Sequence, residues 1–256
     1  MAIQAFAVGT LERFLNHAAP RAAELDRLAL GWTDLEDSEI HRRALATERC
    51  MVIDLYGSLP EKLIQLMEVS SEEDPEQARE SASASTWLDI ELFRLVGYAE
   101  KDALFYLEHM HDLVEATMPA FPERLAAWEA VFANIDRDRR REYLLSNLFL
   151  PSLRRGAAKE AVIAARERAA TSALAVERYR MAHHDVLPED LEALVPAFLS
   201  VAPRDPFDGR ALRYHKLPHG YRIYSVGEDR RDDGGRVKRT GDTAASPLDE
   251  VFVVER

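Results

Sequence analysis

The sequence contains a single cysteine among 256 residues, so no disulfide bond can form within the chain. Cys50 lies in the run TERCMVIDLYG, where Leu45, Val52 and Leu55 have helical spacing. This pattern predicts that Cys50 is a small buried side chain on a helix. A catalytic cysteine would need an activating partner, and the sequence shows none beside it.

Long apolar runs are lacking as well. No stretch approaches the roughly 18–20 apolar residues that a membrane-spanning helix needs. The apolar run Ala5–Val8 is too short for the core of a signal peptide. We therefore expect a soluble chain, which is either cytoplasmic or the remainder of an extracytoplasmic protein whose leader or N-terminal anchor was removed.

Motifs for nucleotide binding and hydrolysis are absent, since the sequence has no GxGxxG, P-loop, GxSxG or HExxH. One Glu-x-x-His pair occurs, Glu108 and His111, whereas a ferritin-like metal site needs two such pairs and further glutamates. A hydrolase site assembled from Glu108, His111 and Asp112 is one hypothesis. No catalytic or cofactor-binding residue is assigned, and the sequence favours a non-enzymatic protein.

Positive charge is scarce in the first part of the chain. Residues 1–150 hold 15 Lys and Arg against 28 Asp and Glu, a net charge of −13, whereas residues 151–256 hold 18 against 17, a net charge of +1. An acidic surface disfavours nucleic acid, whose binding relies on neutralised phosphates, and it disfavours anionic lipid. The asymmetry predicts two domains, an acidic helical one at 1–150 and a second one at 151–256.

Helical periodicity dominates residues 1–150, where apolar residues recur every three to four positions. The run SSEEDPEQARESASAST at Ser70–Thr86 has no large apolar residue and predicts a mobile loop. After Pro151 an alanine-rich stretch predicts one long helix of about thirty residues. Its apolar seam is made of small side chains, which favours packing within the chain over a coiled-coil dimer.

The period then changes from helical to two. The runs ALRYHK at 211–216, YRIYSV at 221–226 and VFVV at 251–254 predict three short strands. Before them, DPFDGR predicts a turn in which Asp205 bonds to the local backbone and Gly209 has a positive φ. The predicted fold class is α+β: a mostly helical body, then a long helix packed on a small antiparallel sheet.

Three sequence elements occur in a fixed order in the last part of the chain. They are ALAVERYRMAHHDVLPEDLEALVPAFLSVAPRDPFDGRALRY, then GYRIYSVGED, then DEVFVV. Together they resemble the soluble part of type II secretion major pseudopilins, which are relatives of type IV pilins. The whole chain resembles uncharacterised bacterial proteins with a helical body and a pseudopilin-like tail, often anchored in a membrane at the N-terminus. The resemblance implies a pilin-like arrangement of the long helix and the sheet.

The resemblance also implies a calcium ion in the C-terminal loop. Carried over by position, the ligands are Ser225, Asp229, Asp249 and Glu250. Ca²⁺ takes six to eight hard oxygen ligands, which carboxylates and loop carbonyls supply. The departure from the family is the interval between Asp229 and Asp249, which has 19 residues and five basic side chains. The alternative is a solvated loop whose carboxylates pair with neighbouring arginines.

Three hypotheses for function follow. The first is a non-enzymatic, extracytoplasmic binding or scaffold protein with a pseudopilin-like, calcium-binding tail. The second is a component of a larger membrane or secretion assembly, and the third is the hydrolase described above. We expect a protein partner, no nucleic acid, and contact with a membrane only through an N-terminal anchor absent from this sequence.

Overall fold

The computed structural model describes most of the chain, namely residues 2–18, 20–31, 38–57, 97–236 and 249–255. The predicted loop Ser70–Thr86 lies outside these residues. The chain divides into two compact units. We call Met1–Asp37, Ala120–Ala126 and Gly156–Arg256 the sheet unit, and Ser38–Pro119 with Ala127–Arg155 the helical unit.

The described part contains α-helices, one short 3₁₀ turn and a three-stranded sheet. The helices are α1 (Ala2–His17), α2 (Ala22–Gly31), α3 (Ser38–Gly57), α4 (Tyr98–Glu115), α5 (Glu123–Asp138), α6 (Leu144–Leu153) and α7 (Gly156–Ala182). The 3₁₀ turn is Glu192–Leu194, and the strands are β1 (Arg213–Leu217), β2 (Gly220–Ser225) and β3 (Glu250–Glu255). The α+β fold class is confirmed.

Helix α7 is the long alanine-rich helix, and it packs on β2 and β3 as well as on α1 and α2. Its buried face consists largely of small residues, which let the helix backbone come close to its neighbours: Ala161, Ala164, Ala165, Ala169, Ala170, Ala173. Tyr221 on β2 reaches this helix, and its hydroxyl oxygen lies 3.2 Å from the carbonyl oxygen of Ala173. A long helix packed on a small antiparallel sheet is therefore confirmed, an arrangement compatible with a pilin-like fold.

The sheet has the order β1-β2-β3, and both pairs are antiparallel. Tyr221 and Ile223 on β2, with Phe252 and Val254 on β3, point into the core that α7 covers. Alternation along the strands brings these side chains to one face, which is the pattern that predicted the strands. Each strand begins and ends within two residues of its predicted limits.

Helix α1 covers the free edge of β3 with polar side chains. Glu12 Oε1 accepts a hydrogen bond from the Val253 amide at 2.8 Å. Asn16 donates its Nδ2 hydrogen to the Val253 carbonyl at 2.8 Å, and Asn16 Oδ1 accepts one from the Glu255 amide at 2.7 Å. These side chains take the place of a fourth strand, because they satisfy peptide groups that an edge strand otherwise leaves unpaired.

In the helical unit, α4 packs against α3 and α6. Asp102 on α4 is completely buried, and its carboxylate accepts hydrogen bonds from the amides of Leu145 at 2.9 Å and Ser146 at 3.1 Å. Tyr143, the residue before α6, provides no side-chain cap. Asp102 therefore caps the first turn of α6 from another helix and satisfies two amides that the helix itself leaves without partners.

Replacing Asp102 with alanine is expected to lower the free energy of unfolding by about 1–3 kcal/mol, because two buried amides lose their acceptor. Thermal or urea unfolding followed by circular dichroism measures the change. The matched control is Asp112→Ala, since Asp112 is an exposed aspartate on the same helix. Equal stability of both variants would contradict the capping role.

The prediction for Cys50 is wrong, because its side chain is exposed. Val52 and Leu55 of the same helix are buried, as the pattern indicated. Cys50 precedes Val52 by two residues, which on a helix turns its side chain by about 200° away from the buried face.

Candidate functional site

The acidic segment after β2 folds into a series of tight turns between Gly227 and Gly235. Three of its glycines have positive φ values, 69° at Gly227, 74° at Gly234 and 69° at Gly235. Two aspartates bond to the backbone two residues ahead. Asp229 Oδ1 accepts from the Arg231 amide at 3.0 Å, and Asp232 Oδ1 accepts from the Gly234 amide at 2.9 Å. Such side-chain turns fix a loop without help from a strand.

Asp249, just before β3, closes this loop from the other side. Its carboxylate accepts hydrogen bonds from the Gly235 amide at 2.6 Å and the Asp233 amide at 3.4 Å. Burial raises the pKa of Asp249, and the negative charges of Asp232 and Asp233 raise it further, although the two backbone hydrogen bonds oppose this shift. The negative charges of Asp232 and Asp233 therefore act on Asp249 from within the same loop.

Tyr224 supports the same loop from the sheet. Its hydroxyl donates to Asp232 Oδ1 at 3.0 Å and lies 3.0 Å from His215 Nε2. Burial, followed by the hydrogen bond to Asp232, raises the pKa of Tyr224 to about 12. Gly235 lies against this ring, since a Cβ atom there would be 2.8 Å from Tyr224 Cδ1 and 2.9 Å from Arg222 Cδ. The loop is seated on the outer face of the sheet.

The four residues predicted to bind calcium have separate contacts. Ser225 donates its hydroxyl hydrogen to Asp205 Oδ1 at 2.8 Å, and Glu250 accepts one from Arg166 Nε at 2.7 Å. Asp229 forms its own turn, and Asp249 holds the loop amides. Across the described ranges, no group of three or more His, Cys, Asp or Glu side chains is arranged to hold a metal ion.

The ligand set that the resemblance implies does not include Asp232 and Asp233, which lie in the interval between Asp229 and Asp249. In the structure, Asp232 accepts a hydrogen bond from the Tyr224 hydroxyl, and the backbone amide of Asp233 donates one to Asp249. Their position directly before two glycines was the available signal, because a Gly-Gly pair lets the chain bend back onto the sheet.

Asp205, in the turn DPFDGR, is completely buried and joins three segments of the sheet unit. Its Oδ1 accepts hydrogen bonds from the Phe207 amide at 2.9 Å and the Ser225 hydroxyl at 2.8 Å. Its Oδ2 accepts from the Val226 amide at 2.9 Å and from Arg213 Nη1 at 2.8 Å. The carboxylate thereby ties the turn to β1 and to the end of β2, where the acidic loop begins.

A cleft of about 260 Å³ in the sheet unit lies between the end of α7 and the β1–β2 hairpin. Its buried carboxylate, Glu177, accepts hydrogen bonds from the Tyr221 hydroxyl at 3.1 Å and from Arg180 at 3.0 Å. Arg180 also donates to Asp185 at 2.9 Å. The charged groups of this cleft therefore contact one another.

The residues of the hydrolase hypothesis, Glu108, His111 and Asp112, are all exposed on α4. The neighbouring His109 is buried instead, and its Nδ1 lies 2.9 Å from the Phe105 carbonyl one turn earlier in the same helix. The cleft beside Glu177 is lined by none of these four side chains.

Comparison with family models, with curated proteins and with solved structures gives no match to this chain. Among the helices that the structure describes, none combines the length and the apolar character needed to cross a membrane.

Proposed function

We propose that this chain is a non-enzymatic scaffold or binding protein that works outside the cytoplasm and whose pseudopilin-like sheet unit binds Ca²⁺ in its C-terminal loop. The observation that carries the proposal is the placement of Asp249. This buried carboxylate accepts hydrogen bonds from the loop amides of Asp233 and Gly235, and Asp232 and Asp233 add negative charge to the same loop. A divalent cation would offset that negative charge and fix the loop on the sheet.

The chemistry of the loop supports a hard cation. Ca²⁺ is bound by carboxylates and loop carbonyls in flexible geometry, and sites in extracellular modules have affinities of about 10⁻⁴–10⁻³ M. Asp229 and Asp249 are the ligand candidates that the resemblance implies at this place. Asp232 and Asp233 join them because they lie in the same loop and their negative charges act on Asp249. Ser225 and Glu250 contact Asp205 and Arg166, so we propose that they support the loop from outside the ligand set.

The proposal also rests on how the protein uses its other buried carboxylates. Asp205 and Asp102 are both completely buried, and both accept hydrogen bonds from backbone amides. Such residues fix loops and helix ends. Fixed loops and helix ends keep the surface in one conformation, which suits a scaffold that presents this surface to a partner.

Calcium titration tests the proposal. At a Ca²⁺ concentration of about one hundred times Kd, the free energy of unfolding is expected to rise by about 2.7 kcal/mol, and EDTA should remove this gain. Isothermal calorimetry should show heat for the natural chain and none for Asp249→Asn. The control is Asp190→Asn, because Asp190 accepts only one exposed backbone hydrogen bond, from Ala193.

The pH dependence has a defined sign. Because the folded-state pKa of Asp249 is raised, this residue adds to the free energy of unfolding below its unfolded pKa of about 3.8. The contribution is lost as pH rises through the folded-state pKa. Ca²⁺ competes with the proton, so the calcium affinity should increase as pH rises through the same range. Melting that is insensitive to chelator, with no heat of binding, would exclude the calcium site.

The second candidate is a component of a larger assembly. Ile40 and Met51 on α3 are largely exposed and lie three turns apart on one face, as surfaces that meet a partner often do. Native mass measurement on material purified from the source separates the two functions, because an assembly component would be recovered with its partner.

A further inference from the structure

Helix α6 is apolar on both of its faces. Leu145 and Leu150 are buried in the helical unit, as expected for a helix that packs on its neighbours. On the opposite face, however, Leu144 is 50% exposed, Leu148 is 59% exposed, and Pro151 is exposed as well. These three residues follow the spacing i, i+4, i+7 and lie on one side of the helix. A surface helix usually presents polar residues there, so this face indicates a second apolar environment.

The chain around α6 is basic, although the unit as a whole is acidic. Residues 137–155 contain six arginines and two carboxylates, whereas the rest of the helical unit, 38–119 and 127–136, contains seven Lys and Arg against 19 Asp and Glu. Arg154 is engaged with Asp136, with both oxygens at 2.7 Å. The arginines at 139, 140, 141 and 155 are exposed and lie just before and just after the helix.

Asn147 fixes the basic loop beside the exposed leucines. Its Oδ1 accepts a hydrogen bond from Arg139 Nε at 2.6 Å, and its Nδ2 donates to the Arg140 carbonyl at 2.8 Å. Asn147 lies one residue before Leu148 on the helix. The exposed apolar residues and the arginine loop are therefore parts of one surface, because a residue of the helix itself holds the loop in place.

We propose that this surface, which we call the α6 face, binds an anionic lipid bilayer. It consists of Leu144, Leu148 and Pro151 with the arginines at 139–141 and 155. Apolar side chains of an interfacial helix enter the boundary between headgroups and acyl chains, while flanking arginines contact lipid phosphates. Long arginine side chains keep their guanidinium groups at the headgroup level as their stems cover apolar surface. The inference concerns the helical unit and does not rest on calcium binding by the sheet unit.

A lipid surface accounts for these observations better than an acidic protein does. Leucines exposed to half or more of their area on an intact helix project from the surface, and a fluid bilayer accepts such projections without a matching groove. The net charge of −12 does not prevent binding, because at physiological ionic strength charges beyond about 8 Å are largely screened. The local basic charge then determines the attraction.

Vesicle co-sedimentation of the full chain tests the proposal. The protein should bind vesicles of phosphatidylcholine mixed with phosphatidylglycerol and should not bind vesicles of phosphatidylcholine alone. Binding should weaken as salt is raised from about 0.1 M to 1 M, where the Debye length falls from about 10 to 3 Å. Leu148→Gln should weaken partitioning at least about tenfold, the effect of withdrawing one leucine from an apolar environment. Removing the charge with Arg140→Gln should weaken it about fivefold.

Two matched variants control for general effects. Leu104→Gln changes a leucine that is 57% exposed on α4, and Arg231→Gln changes an exposed arginine of the sheet unit. Both should bind vesicles like the natural chain. All four altered side chains are exposed, so circular dichroism melting should show that the variants fold alike.

Several outcomes would overturn the proposal. They are absence of binding to the anionic vesicles, equal binding to both kinds of vesicle, and binding that Leu148→Gln leaves unchanged. Soluble polyglutamate serves as a probe for the competing occupant. If polyglutamate binds as tightly as the vesicles do, and if Arg140→Gln but not Leu148→Gln weakens it, the α6 face is a site for an acidic macromolecule and the lipid proposal fails.

Discussion

Asp205→Asn is expected to lower the free energy of unfolding by about 3–5 kcal/mol, although aspartate and asparagine have nearly the same shape. The reason is that each oxygen of the buried Asp205 carboxylate accepts two hydrogen bonds. The side chain of asparagine keeps only one acceptor oxygen and has an NH₂ group in place of the other. This NH₂ group would point at two donors in either orientation, and the partly buried Arg213 would lose one carboxylate partner while keeping Asp208.

Chemical unfolding with a structural probe in the sheet unit measures the loss. Asp190→Asn is the control, since Asp190 also accepts a backbone hydrogen bond in the sheet unit but lies at the surface. This control should lower the free energy of unfolding by no more than about 0.5 kcal/mol, the usual range for surface substitutions. Asp205→Asn with the stability of Asp190→Asn would show that this carboxylate does not join the three segments.

Gly220→Ala should lower the free energy of unfolding by at least about 3 kcal/mol, because backbone strain and overpacking add at this position. Gly220 begins β2 opposite Glu255, and its φ of 154° is rarely adopted by residues with a side chain. A Cβ atom there would lie 1.8 Å from the Val254 carbonyl oxygen and 2.8 Å from the carbonyl carbon. These are backbone atoms of a paired strand, so the clash can be relieved only by separating β2 from β3.

Gly9→Ala is the matched control for that substitution. Gly9 lies within α1, where an added Cβ would meet no atom within 4 Å. Alanine should stabilise this helix by about 0.5–1 kcal/mol, because glycine loses more backbone freedom on folding. The two variants therefore change stability in opposite directions. A Gly220→Ala protein that melts like the natural chain would contradict the close approach of β2 and β3.

The sequence alone predicted the parts of the structure that depend on neighbouring residues. In DPFDGR it predicted the bond from Asp205 to the local backbone and the positive φ of Gly209, which is 73°. It could not predict Arg213, Ser225 or Val226 as further partners, because they lie 8, 20 and 21 residues away and depend on how β1 and β2 pair. Apolar spacing likewise indicated that α1 buries one face, but not that the face lies on α7 and β3.

The candidate site shows the same limit. The resemblance identified Asp249 as a residue of the C-terminal loop, but whether the charges of Asp232 and Asp233 act on it depends on the turns between Gly227 and Gly235. The exposure of Leu144 and Leu148 was equally beyond the sequence. All the leucines of LLSNLFLP suit a buried helix, and only the packing of α6 decides which of them face outward.

The contact between α1 and β3 has a consequence for how the chain is made. Glu12 and Asn16 bind Val253, which lies 241 and 237 positions later. Every residue of the helical unit is synthesised between these two elements. The helical unit can therefore fold while synthesis continues, whereas the sheet unit must wait for its last strand. Such long-range pairing is intrinsically slow. Until β3 arrives, α1, α7 and the β1–β2 hairpin expose their apolar faces, so a ribosome-bound nascent chain is the state of this protein in which chaperone binding and aggregation would concentrate.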